Sequence, residues 1–407
     1  MSEHTLTRRR LLGLFGAAAA IPVASPILAA CGSSVGGGGG GGGAGGTVKV
    51  GLVVPQSGVY AALGTDMKQG WDLWLERNGN KFGDYTVETV VADEGETPQT
   101  GGAAVQKVLQ QDNVDVVVGI VNSATALGAA PQFAQAKKIL VVANAGAADI
   151  TGKSRNPYVW RSSFQNAQIA AAMGTHLAGQ NVANGVFAIA PDYAAGAEVI
   201  SGFTSAFESG GGRVVGSAKP AFAKTTDYQP FLAQIQQSGA GATFCFFSGA
   251  EAVTFVNQYA QFGLARTVPL YASGFLTEGG VLKAQGDNAL GVQTSLHYSD
   301  QLDNPANKEF VAAYTEKYQA SPTCFSVQTW DAAEVLHRAL GNAAALDGDT
   351  ISGALGGVGA IETSPRGPWS FDGQSPKQQI YLRKVEQGSG GLVNAVTGDL
   401  GVQSQVA

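Results

Sequence analysis

From Thr47 onward, short β-branched apolar runs alternate with stretches of helical spacing. The first run, VKVGLVVP at Val48 to Pro55, is short and apolar at nearly every position, the pattern of a strand buried on both faces. Met67, Trp71, Trp74 and Leu75 follow at the spacing of one helix face. Thr86 to Ala92 reads as strand, and Thr97 reads as the cap of a helix with Pro98 in its first turn and Val105, Val108 and Leu109 facing inward. Val114 to Val121, Ile139 to Ala143, Gly185 to Ala190, Arg213 to Ser217, Thr243 to Phe247 and Val268 to Ala272 continue the series. Such alternation predicts an α/β chain built on parallel sheet with helices on both faces. The runs are too many for one doubly wound sheet, so two lobes are expected. The first runs to about Arg161 and a second βα series starts near Phe164. Pro305 to Tyr318 and Phe325 to Ala345 read as helices, and Trp369 to Asp372 and Gln379 to Leu382 as two β segments across a turn.

The N-terminus obeys different rules. Arg8, Arg9 and Arg10 precede an uncharged stretch from Leu11 to Ala30, the layout of an export signal, and paired arginines before leucines resemble its twin-arginine form. The stretch is also about the ~20 residues of a membrane anchor. Leu28-Ala29-Ala30-Cys31 resembles the lipobox of bacterial lipoproteins and decides between the two: Cys31 is the expected lipidation site, and the protein is expected to be exported and held at the outer face of the cell membrane. The next residues, to Gly46, hold eleven glycines and no charge, the composition of a flexible tether. Loss of residues 1–30 removes three arginines and one glutamate and takes the net charge from -6 to -8. No basic footprint for nucleic acid is present. Export permits a disulfide between Cys245 and Cys324, but Cys245 sits mid-strand among Phe244, Phe246 and Phe247, the setting of a buried thiol.

Catalytic chemistry has no anchor. His4, His176, His297 and His337 stand at no metal-ligand spacing, and no Gly-x-Ser-x-Gly elbow occurs. No Gly-x-Gly-x-x-Gly follows the first strand, so no dinucleotide or other cofactor is expected. Binding has better candidates, since ligands of open α/β sheets sit at strand C-terminal ends against helix N-termini. Four such ends carry polar or aromatic groups: Gln56-Ser57-Gly58, Asn122-Ser123-Ala124-Thr125, Asn144-Ala145-Gly146-Ala147 and Pro191-Asp192-Tyr193. Each by itself is ordinary turn and cap chemistry.

Together, VKVGLVVPQSG at 48–58, VDVVVGIVNSAT at 114–125, ILVVANAGAADIT at 139–151, YVWRSSF at 158–164, PDYAAG at 191–196, FSVQTWDA at 325–332, RGPWSFDGQ from Arg366 and IYLRKV ending at Val385 resemble, in order and spacing, the type I periplasmic binding proteins. The resemblance is to their leucine/isoleucine/valine-binding branch. It implies two Rossmann-like, doubly wound lobes joined by three crossing hinge segments, here about Ser162 to Asn166, His297 to Gln301 and Phe371 to Lys377. The implied organisation is a signal at 1–30, a lipidated tether at 31–46, one lobe from 47–163 with 299–372, and a second from 164–298 with 373–407. It also implies a small-molecule solute held between the lobes, no catalytic residues, no metal, and ABC permease subunits as partners.

For the site, the resemblance implies that Ser123 and the backbone around Ala145, Gly146 and Ala147 hold a carboxylate. Leu63, Val121, Asn122 and Phe325 meet the solute's side chain, with Ser57, Tyr193, Ala250 and Phe275 completing the shell. The sequence departs from the family pattern where an amino-acid ammonium would be held. Ala147 replaces a Thr, Ala250 a Tyr, and the acidic residue falls near Gly274. Either Glu251 or Glu278 takes that role, or the solute has no free amine. The expected function is capture of a branched-chain amino acid or a related small carboxylate or amide for an ABC importer. A ligand sensor feeding a signalling partner and a secreted lipoprotein hydrolase are the alternatives.

Overall fold

The computed structural model describes residues 45–406. The signal, Cys31 and most of the tether lie outside the described residues. Strands β1 (Thr47–Val54), β2 (Lys81–Phe82), β3 (Tyr85–Asp93), β4 (Val116–Gly119), β5 (Ile139–Val142) and β6 (Val159–Arg161) form a first sheet in the order β2-β3-β1-β4-β5-β6. All pairings are parallel except the short β2 against β3. Its central strand is the VKVGLVV run, with Val48, Val50, Leu52, Val53 and Val54 all buried. Helices α1 (Ala61–Arg77), α2 (Pro98–Gln110) and α3 (Ser123–Ala136) connect these strands. Thr97 caps α2 in a reciprocal box with Thr100, and Pro98 stands in the first turn, as the sequence predicts.

The chain then leaves β6 through Ser162 to Gln165 and enters α4 (Asn166–Gly179), which packs on the second sheet: the Ser295 hydroxyl donates to the Ile169 carbonyl at 2.9 Å. That sheet holds β7 (Val186–Ile189), β8 (Val214–Ala218), β9 (Ala242–Cys245), β10 (Leu270–Ser273), β11 (Gln293–Leu296), β12 (Trp369–Asp372) and β13 (Ser375–Gly388), in the order β12-β13-β11-β10-β9-β7-β8. A further strand, β14 (Gly391–Gln403), pairs with β13. Helices α5 (Ala194–Ser209), α6 (Gln229–Ser238), α7 (Gly249–Gln261) and α8 (Gly280–Gln285) cover it. The chain returns after β11 to α9 (Pro305–Tyr318), α10 (Cys324–Asn342) and α11 (Gly348–Gly356). Helix α10 packs back on α1, where the Thr329 hydroxyl donates to the Met67 carbonyl at 2.6 Å.

Two expectations need correction. The hairpin between β12 and β13 stays with the first lobe, since Arg161 N–H donates to the Gln374 carbonyl and Phe371 packs edge-on against Trp160. The third crossing is therefore made further on, inside β13, which reaches β11 only at Tyr381 to Lys384. Strands β11 and β14 were also not expected. The first and third crossings are tied by a buried cation. The Arg366 guanidinium donates to the carbonyls of Ser162 (2.6 Å) and Ser163 (2.9 Å) and to Gln378 Oε1 (2.6 Å), and lies 2.8 Å from the Asp331 carboxylate. Cys245 and Cys324 are buried free thiols.

Candidate ligand-binding site

Strand β4 ends on Gly119 at φ +128° and Ile120 at φ +65°. A β-branched residue in left-handed geometry costs on the order of 1–3 kcal/mol and marks a backbone held for a purpose. The turn aims the Val121 and Asn122 N–H groups at the buried Glu94 carboxylate, at 2.8 and 2.9 Å. Asn122 then caps α3, its Oδ1 accepting from Ala124 (2.9 Å) and Thr125 (3.4 Å). Ser123, the first residue of α3, is left facing a cavity with a helix N-terminus behind it. Burial raises the Glu94 carboxyl to about 7, the two backbone donors opposing that shift.

The cavity lies between the two sheets and, at about 30 Å³, is all but filled by its own side chains. Leu63, Val121, Ser123, Gly146, Tyr193, Phe275 and Phe325 line it, all named from the sequence. Asn144, part of a strand end the sequence offered for binding, completes the wall with Tyr60, Phe164, Asn166, Ala195, Phe246 and Ser248, and the sequence reading did not place these six in the site. Phe275 is the hub of an aromatic box, with ring centroids 4.6 Å from Phe164 and 6.1 Å from both Phe246 and Phe325. The Tyr60 and Tyr193 hydroxyls meet at 3.1 Å across the two lobes.

Five expected residues stand elsewhere. The exposed Ser57 hydroxyl donates to Asp93 at 2.9 Å. Asn122 spends its side chain as the helix cap. Ala145 and Ala147 are buried beside the cavity, where Arg161 donates to the Ala147 carbonyl at 2.7 Å and fixes the loop after β5. Ala250 is exposed on the first turn of α7. Neither acidic candidate lines the cavity. Glu278 is ion-paired with Arg383 at 2.5 Å, and Glu251 accepts from Ala223 N–H at 2.9 Å, burial raising its carboxyl to about 7. Gly274, where the family pattern puts an acid, has no room for one: a Cβ there would lie 2.4 Å from Arg383 Nη2. None of the fourteen lining side chains is charged.

Residues 47–391 match the family model described as periplasmic binding protein. A Leu/Ile/Val-binding protein homolog 6 from Brucella melitensis is 33% identical over 352 residues, 84% of this chain and 89% of that one. The fold is shared with an ABC-transporter solute binding protein from R. palustris in complex with benzoate, at TM-score 0.81, 33% identity and coverage of 88% and 98%. A second R. palustris solute binding protein, in complex with 4-hydroxybenzoate, superposes at TM-score 0.82 with 32% identity and the same coverage, 88% and 98%. The chain belongs to the type I periplasmic binding proteins, in the Leu/Ile/Val-binding branch, and is a solute-binding protein of the ABC-transporter class.

Proposed function

We propose that the protein captures a small carboxylate without a free amine, an aromatic acid first among these, and delivers it to an ABC permease. Lipid on Cys31 holds it at the extracytoplasmic face of the membrane. The observation that carries the ligand class is the uncharged wall of the cavity. A buried ammonium with no carboxylate costs several kcal/mol, and both acidic candidates are engaged with the protein's own groups. Ser123, at the start of α3, offers neutral donors to a carboxylate, while Phe164, Phe246, Phe275 and Phe325 offer faces and edges to a ring. The benzoate and 4-hydroxybenzoate bound by two similar proteins support the same reading. The Leu/Ile/Val-binding relatives favour a branched-chain amino acid instead.

Thermal shift decides between them. Benzoate and 4-hydroxybenzoate at a hundredfold excess over Kd are expected to stabilise the protein by about 2.7 kcal/mol, and leucine to have no effect. Stabilisation by leucine and not by benzoate overturns the amine-free reading.

A further inference from the structure

Glu278 follows β10 and its short 3₁₀ turn, in the second lobe, and its carboxylate points across the cleft. Its Oε1 accepts from Arg383 Nη1 at 2.5 Å, and its Oε2 accepts from the backbone N–H of Cys324 at 2.9 Å. Arg383 belongs to the second lobe as well. It is fixed there by bonds to the carbonyls of Gly274 (2.9 Å) and Tyr298 (2.7 Å) and to the Thr294 hydroxyl (3.1 Å). Cys324 is the first residue of the 19-residue α10, which packs in the first lobe. Of the carboxylate's two partners, one thus lies in its own lobe and the other across the cleft. All three residues are buried.

We infer that Glu278 is a positioning residue for closure, a latch that Arg383 holds ready in the second lobe and that engages the N-terminus of α10 when the cleft shuts. Its location suits that role. Phe275, three residues before it, and Phe325, the residue after Cys324, are facing walls of the cavity with ring centroids 6.1 Å apart. The latch thus draws together the two walls that grip a solute, using a carboxylate on a helix N-terminus, where the dipole favours it. The inference rests on reading this cavity as the solute site.

The test removes one hydrogen atom from the latch. Proline is at home in the first position of a helix, and Thr323 before it is already extended at φ -115° and ψ 170°, as a residue preceding proline must be. Cys324→Pro therefore deletes the N–H and leaves the Glu278–Arg383 pair intact. Cys324→Ala deletes the thiol and keeps the N–H. With benzoate as probe in stopped-flow fluorescence, the Pro variant is expected to release it roughly tenfold to hundredfold faster than the Ala variant. Association rates should match, and both unliganded variants should melt cooperatively. Equal release rates overturn the latch, as does a loss confined to association. Small-angle X-ray scattering of the unliganded proteins gives an arm independent of ligand: the Pro variant is expected to have the larger radius of gyration, and equal radii overturn the latch. Failure of benzoate to bind either variant or the parent, with the radii still different, overturns the ligand class and leaves the latch standing.

Discussion

Replacing Ser123 by Ala isolates the group on which the proposed carboxylate recognition turns. Around the start of α3 the N–H groups of Val121 and Asn122 are taken by Glu94, and those of Ala124 and Thr125 by Asn122. Val121 and Ser123 line the cavity, and of the two Ser123 brings a polar side chain to it. Its hydroxyl is not the helix cap, and Ala suits a first-turn position at least as well, so the unliganded protein should melt where the parent does. A hydrogen bond to a charged group is worth about 1.5–3 kcal/mol net, and 1.4 kcal/mol is tenfold in Kd. Benzoate should therefore bind about 10- to 150-fold more weakly. Benzamide has the same ring and no charge, and should lose only about 0.5–1.5 kcal/mol, so the two ligands separate loss of a charge-assisted bond from general damage. Titration calorimetry on both reads the difference directly. An unchanged benzoate Kd moves the carboxylate away from α3. A variant that melts several degrees lower gives Ser123 a structural role and removes the argument.

Two further substitutions probe the wall and its electrostatics. In Gly146→Ala the new Cβ would sit 2.3 Å from Asn166 Oδ1 and 2.5 Å from the Phe164 ring. Asn166 is held by Glu198 at 3.0 Å and Phe164 by Phe275, so the overpacking costs about 1–3 kcal/mol; calorimetry should show a lower melting temperature together with lost affinity, and retention of both refutes the close packing. Glu251 is raised by burial from 4.5 to about 7, an interval worth about 3 kcal/mol. The folded carboxyl holds its proton more tightly than the unfolded chain does, so this contribution is complete below about pH 4.5 and is lost as pH rises through about 7. Glu251→Gln stays neutral, keeps an acceptor for Ala223, and should gain over the parent by up to about 3 kcal/mol in urea unfolding at pH 8, with no gain at pH 4; a difference independent of pH refutes the assignment.

The architecture was legible because burial on both faces of a parallel sheet leaves continuous apolar runs, and β1, β4, β5, β7 and β9 are such runs. Strand β11 was missed because it reads Gln293-Thr294-Ser295-Leu296. Thr294 and Ser295 are buried and are satisfied by Arg383 and by the Ile169 carbonyl, partners far away in sequence. Strand β14 carries two glycines besides its first residue and a mostly half-exposed surface. It owes its existence to pairing along β13 and not to its own pattern. In the site, the strand-end rule was sound but applied too narrowly. Tyr60, Phe164 and Phe246 all follow closely on strands β1, β6 and β9, as Ser123 follows β4.

Glu278 shows where reading a chain in order stops. A carboxylate beside a cleft in a family that binds amino acids invites an ammonium, and nothing near it in sequence says otherwise. Its partners are 46 and 105 positions away. Once Arg383 is in place, the charge that a solute would have supplied is already supplied by the protein, and the side chain is freed for a bond between lobes. The glycine at 274 belongs to the same rearrangement, because the guanidinium fills the space a side chain there would need. On the proposals above, loss of an ammonium site and gain of a latch are two consequences of one buried arginine. Arg383→Met should then do more than destabilise: with Glu278 no longer neutralised inside the second lobe, an amine-bearing aromatic such as phenylalanine should gain affinity relative to benzoate. Calorimetric titration of the two ligands measures the ratio, and a ratio no different from the parent's breaks the link between the two.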